Sequence, residues 1–136
     1  MSDWIELLRN PESIASLYDK PPSLKKFALS EVSWDEEQDA CMIRGTLARF
    51  PDFPRSDWEE DANRVGLRLW LEELDEFAFE GWSFENVVDV EIEELAGSSQ
   101  VLIVARGDVV TFRATCGSLH VADVFAYHSL QAEPVN

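Results

Sequence analysis

Histidine, cysteine and basic residues are scarce in this 136-residue chain, and each shortage removes a class of function. The two histidines, His120 and His128, share strand parity but stand eight residues apart. At about 3.4 Å per residue that is roughly 27 Å along a strand, too far for one metal ion. No Cys or His pair has zinc-ligand spacing, so no metal is expected. The two cysteines, Cys41 and Cys116, form no C-x-x-C motif. They are expected to be free thiols on apolar strand faces; a Cys41–Cys116 disulfide is the less favoured alternative in a reducing compartment. Only 11 residues are Lys or Arg. The one short basic cluster, Lys20, Lys25 and Lys26, reads as local balance beside a proline turn, so nucleic-acid binding is not expected. No stretch approaches the ~20 apolar residues that cross a bilayer. The segment Met1–Glu6 lacks a basic region followed by an apolar run, so no signal peptide is expected and the expected location is the cytoplasm. There is no Gly-x-Ser-x-Gly elbow and no Gly-rich phosphate loop; Gly97 and Gly107 read as isolated turn glycines. Neither catalysis nor a cofactor is expected from these motifs. A carboxylate-pair hydrolase stays open as a minor alternative, because acids are abundant.

Acids dominate what is present. Twenty-seven Asp and Glu against 11 Lys and Arg give a net charge of −16 and a pI near 4.3. A small domain needs only about 2–8 units for solubility. The excess is uneven: residues 1–68 carry −5 and residues 69–136 carry −11. Ten carboxylates and no base lie between Arg68 and Arg106. Such a surface repels nucleic acid and anionic membrane and steers cationic proteins towards it. The plainer reading is a solvated acidic face that only confers solubility.

The hydrophobic content of 46% supports one core, and a single domain over residues 1–136 is expected. Trp4, Ile5, Leu7 and Leu8 recur at helical spacing with Asp3 as N-cap, and Pro11 suits the first turn of a second short helix before Pro21-Pro22. Helix is thus expected within residues 1–20. Residues 25–128 read as an antiparallel β meander, and residues 129–136 as a polar tail. Val65, Leu67, Leu69 and Leu71 alternate with Gly66, Arg68, Trp70 and Glu72, and Val88, Val90 and Ile92 alternate with Asp89, Glu91 and Glu93. These are half-buried strands with one wet face. Seven or eight such segments predict a mainly β (α+β) fold, an antiparallel sandwich or open barrel with one or two short N-terminal helices.

Five residues are candidates for partner binding. Asp89, Glu91 and Glu93 form an acidic stripe. Trp70 lies in the wet phase of its strand, where an exposed tryptophan is a typical interface anchor, although the N-terminal helices could cover it. Trp58 sits in a loop among Asp57, Glu59, Glu60 and Asp61, an arrangement suited to a cationic partner or to plugging the rim of the core. Trp4, Trp34 and Trp82 are expected in the core or at a helix-docking position, since tryptophan is usually well buried.

Leu17-Tyr18, Pro22-Ser23-Leu24, Pro54, Trp58 and Asn63 together resemble the immunity protein 50 family. So do the alternating Val65–Leu71 strand, Gly81-Trp82, Val88–Ile92, Phe112 and Ala126-Tyr127. The likeness spans Trp4 to Tyr127; where that family often carries a glycine before the asparagine, this chain has Asp61-Ala62. The resemblance implies an antidote of a bacterial polymorphic-toxin system, which binds a cognate toxin domain, needs no cofactor and blocks the toxin's active site or groove. With this charge the toxin domain is expected to be basic. The alternative is an acidic β-sandwich scaffold or small-molecule-binding module without catalytic activity. The sequence leaves the oligomeric state open.

Overall fold

Six antiparallel strands close on themselves in the order β1-β2-β3-β6-β5-β4. The computed structural model describes residues 4–130. The strands are β1 Phe27–Asp35, β2 Ala40–Thr46, β3 Arg64–Glu80, β4 Asn86–Glu94, β5 Val101–Gly107 and β6 Thr111–Tyr127. The expected mainly antiparallel β class is therefore present, as a closed barrel and not as two packed sheets. The seam is short: only Phe27–Leu29 of β1 pairs with Asn86–Val88 of β4.

Among the described residues the strands number six, not seven or eight, because β3 and β6 are each long and continuous. The segment Val65–Leu71 runs on through Phe77 and Phe79 as β3, and the segments either side of Gly117-Ser118 are one strand, β6. A register shift between Leu74 and Glu76 and a left-handed Glu73 (φ 55°) break the alternation within β3, which imitates a strand end. Gly117 is no turn. A Cβ there would lie 2.8 Å from the Glu73 carboxylate and 3.0 Å from its Cβ. The glycine lets the bulged strand approach its neighbour.

Alternation fixes which faces are inside. Val65, Leu67, Leu69 and Leu71 are buried, with Ile103, Phe112, Ala114 and Leu119 from the facing strands. The N-terminal segment is less helical than expected: a 3-10 turn at Trp4–Leu7 (η1) and one α-turn at Glu12–Ala15 (α1), with Pro11 at its N-cap position. Asp3 lies outside the described residues, as does most of the tail. Ile5, Leu8, Ile14 and Leu17 nevertheless enter the core. Asn10 clamps this segment to β6, donating to the Val121 carbonyl (2.8 Å) and accepting from its amide (2.9 Å). The Tyr18 hydroxyl donates to the Arg49 carbonyl (2.6 Å), tying the segment to the β2–β3 loop. Trp4 is half-buried as a docking residue, its indole N–H bonded to the Pro22 carbonyl.

Cys41 and Cys116 are free and fully buried. Burial pushes Cys41 up to about 12, with the Cys116 thiol adding to it, and Cys116 up to about 11. Since the thiolate is the reactive form, a disulfide-exchange reagent at pH 8 is expected to label the native protein at least about tenfold more slowly than the unfolded chain. Linkage has a definite sign: unfolded thiols ionise near about 8.5, so the folded state holds its protons longer. Stability from this source is complete below that pH and is lost as pH rises towards the folded values; burial raises the Tyr18 phenol as well and acts in the same direction. A native labelling rate equal to the unfolded one would show that these thiols are accessible.

Candidate protein-interaction surface

With strands alternating in direction, the β1–β2 turn, the β3–β4 loop and the β5–β6 turn all lie at one end of the barrel, here called the mouth. The β2–β3 loop and the β4–β5 turn lie at the other end, where the N-terminal segment is tied to the β2–β3 loop. Inside, an enclosed apolar void bounded by Phe27, Leu29, Ile43, Leu69, Ile103 and Phe112 measures about 10 Å³. That is room for roughly one water and for no small-molecule ligand.

Outside, the carboxylates of Asp89, Glu91 and Glu93 project from β4, all exposed, spaced about 7 Å apart along the strand. Asp89 Oδ1 accepts the amide of Lys26 (3.0 Å), a residue in the left-handed region at φ 57°. Arg106 Nη1 stands 3.7 Å from Glu91 across the β4–β5 ladder. With both side chains more than half exposed, such a pair contributes about 0–1 kcal/mol, and an incoming cation exchanges for it readily.

Trp70 lies on the outer face of β3, half-buried between Met42 of β2 and His120 of β6. Among the described residues, the N-terminal segment's hydrogen bonds run to β6, to the β2–β3 loop and to the β4 strand, not to this position. In a six-stranded ring β3 and β4 are three strands apart in either direction. The structure therefore places Trp70 and the acidic stripe on opposite walls and does not bring them together. The wall around Trp70 also carries Arg44 and Arg68, whose guanidiniums lie 6.0 Å from the Phe125 ring centre. Trp58 is at neither wall. It is half-buried at the far end, edge-on to Phe50 (6.4 Å) and packed against the core.

Two residues expected in the core are exposed instead: Trp34 at 55% and Trp82 at 49%. The cause is the length of β3. Pairing with β2 stops at Leu71, and residues 72–80 continue beyond it, paired with β6 alone among the described strands. Their core-facing side chains then have no opposite wall. Phe77 and Phe79 take the inner phase, opposite Ala114 and Phe112. Trp34 stacks on Phe77 (5.8 Å, 6° between planes), Phe77 meets Phe112 edge-on (5.3 Å), and Phe79 lies 5.9 Å from Trp82. The loop 81–85 must cross from β3 to β4 over the mouth, and it carries Phe84 fully exposed. Asn86 fixes that loop, accepting the Ser83 amide (2.8 Å) and donating to the Ser83 carbonyl (2.9 Å). Gly81 (φ 82°) sits where a Cβ would fall 2.1 Å from the Val109 carbonyl oxygen. Only glycine tolerates that approach.

No group of three or more His, Cys, Asp and Glu could hold a metal ion among the described residues. No helix among them is long and apolar enough to cross a membrane.

The described residues form a filled antiparallel barrel that presents acids and aromatics on its outside. The model of the immunity protein 50 family matches residues 10–127, and the chain belongs to that family. Among curated proteins and among solved structures, none matches it. Several residues that carry the likeness hold the fold. Asn63 exchanges hydrogen bonds with the Ser129 backbone (3.0 and 2.8 Å) and donates its amide to the Tyr127 carbonyl (3.0 Å).

Proposed function

We propose that this protein is the antidote to a basic toxin domain of a bacterial polymorphic-toxin system, acting in the cytoplasm by binding and without catalysis or cofactor. The observation that carries this reading is the distribution of its −16 charge on the outside of a barrel whose interior is filled, with a central void of about 10 Å³. An acidic wall accelerates encounter with a cationic partner and slows encounter with an anionic one. If the toxin is a nuclease, the carboxylates of Asp89, Glu91 and Glu93 would lie where substrate phosphates lie. The void of about 10 Å³ leaves no room for a small molecule inside the barrel.

A standard interface covers about 800 Å² per partner. A contact of that size centred on β4 does not reach Trp70. Trp70→Ala therefore reports on whether the toxin also takes the β3 wall, and Trp58→Ala on whether it reaches the far end. The reading is tested by co-expression. Where a neighbouring gene encodes a basic toxin domain, cells making that domain are expected to die, and those also making this chain to survive. Death at equal rates in both, with the chain folded and in excess, would refute it.

A further inference from the structure

We propose that the mouth is the anchor of the interface: Trp82 and Phe84, above the Trp34–Phe77–Phe79 aromatic group, receive an apolar side chain of the basic toxin domain while the surrounding carboxylates take its lysines and arginines. This rests on the function proposed above and deepens it by naming where, and by what chemistry, the partner is held.

The aromatic group is continuous with the core through Phe112, which is 2% exposed, so its base is rigid. The loop bearing Trp82 and Phe84 is fixed by the Asn86 clamp and by the close approach at Gly81. Phe84 is nonetheless fully exposed, as are substantial parts of Trp34, Trp82 and Val109. Nothing in the fold needs a phenylalanine in that position. Large aromatics held ready in solvent are the residues that contribute most to interface hot spots, and a fixed loop loses little entropy on binding.

Charge selects the occupant. Residues 34–39, 73–85 and 108–113 carry ten Asp and Glu against Arg113 alone. Such a ring repels a second copy of this chain, which brings the same −16, and repels an anionic lipid surface. An apolar knob flanked by cations satisfies both the aromatic floor and the acidic rim. The β4 stripe leads away from this ring, since Asp89 follows the loop by four residues and stands opposite Arg106 at the end of β5. Steering wall and anchor thus form one surface.

The test uses the full chain, an inactivated form of the basic toxin domain of the co-expression test, and two variants, W82A/F84A and Phe84→Arg. Because Phe84 is fully exposed, Phe84→Arg is expected to unfold at the wild-type midpoint, and W82A/F84A, which also loses the contact of Trp82 with Phe79, slightly below it while still folding. W82A/F84A is expected to weaken binding by about 100-fold or more, mostly through faster dissociation, with association changed by about twofold or less. Phe84→Arg is expected to abolish detectable binding by placing a cation where the partner's cations dock. Wild-type binding left unchanged by both variants would overturn this inference alone. Failure of the wild-type chain to bind would contradict the proposed function, and this inference with it. A wild-type dimer dissociated by the same substitutions would assign the mouth to self-association and overturn the proposal.

Discussion

Phe27→Ala is expected to lower the free energy of unfolding by about 3–5 kcal/mol, the range for removing a fully buried phenylalanine. The site makes the upper part of that range the better expectation. Phe27 is 1% exposed and opens β1, and its partner is Val88 of β4. Those two strands meet through only three residue pairs, so Phe27 packs at the seam that closes the barrel. Its ring occupies the space over Gly45, where a Cβ would stand 2.3 Å from the ring. It also bounds the apolar void, which truncation would enlarge into a cavity that neighbouring strands cannot fill without opening the seam. Gly45→Ala collides with the same ring, so the two substitutions should couple: the double variant should cost less than the sum of the singles. Urea unfolding of the four proteins measures this. A loss below about 1 kcal/mol for Phe27→Ala would mean that the seam does not depend on that ring.

The strands legible in the sequence were those with one dry and one wet face. Val65–Leu71 and Val88–Ile92 alternate because each lines a filled barrel on one side and meets solvent on the other. Continuity was not legible. The bulge near Glu73 shifts the phase of β3, and the glycine that accommodates it reads as a turn signal in β6. Seen as sequence, Glu72–Glu76 and Gly117-Ser118 resemble two strand breaks, whereas together they are one local adjustment between two long strands.

The acidic stripe was legible for the same reason as its strand. Asp89, Glu91 and Glu93 occupy the wet phase and are all exposed. Its separation from Trp70 was not, because period-two alternation says which face a side chain takes and nothing about which wall of a closed ring it is on. The mouth was hidden by a sound generalisation. Tryptophan is usually buried, but Trp34 and Trp82 occur where β3 outruns its neighbour β2, and strand-length mismatch has no signature in one sequence. The nearest available signal was Phe84, an aromatic in a five-residue loop between two strands.

The largest effect on association rate is expected from reversing the stripe. In the triple variant Asp89→Lys, Glu91→Lys, Glu93→Lys the net charge rises from −16 to −10. All three side chains point to solvent, so folding should be preserved, although the variant loses the Asp89 bond to the Lys26 amide. Electrostatic steering changes association rates by factors of about 10–1,000, and salt screens it over a Debye length of ~10 Å at 0.1 M. Single rim charges should each matter little; the three together act on the field the partner meets from a distance.

The most direct measurement is therefore the association rate of the purified chain with the basic toxin domain of the co-expression test, taken for the wild type and the triple lysine variant from low to high salt. The wild-type rate is predicted to be fast at low salt and to fall at least about tenfold as salt rises, with the variant slower at low salt, flatter in its salt dependence and converging on the wild type at high salt. Equal rates with equal salt dependence would reduce the acidic wall to a solvated surface, and the absence of any complex with the wild type would contradict the account at its centre.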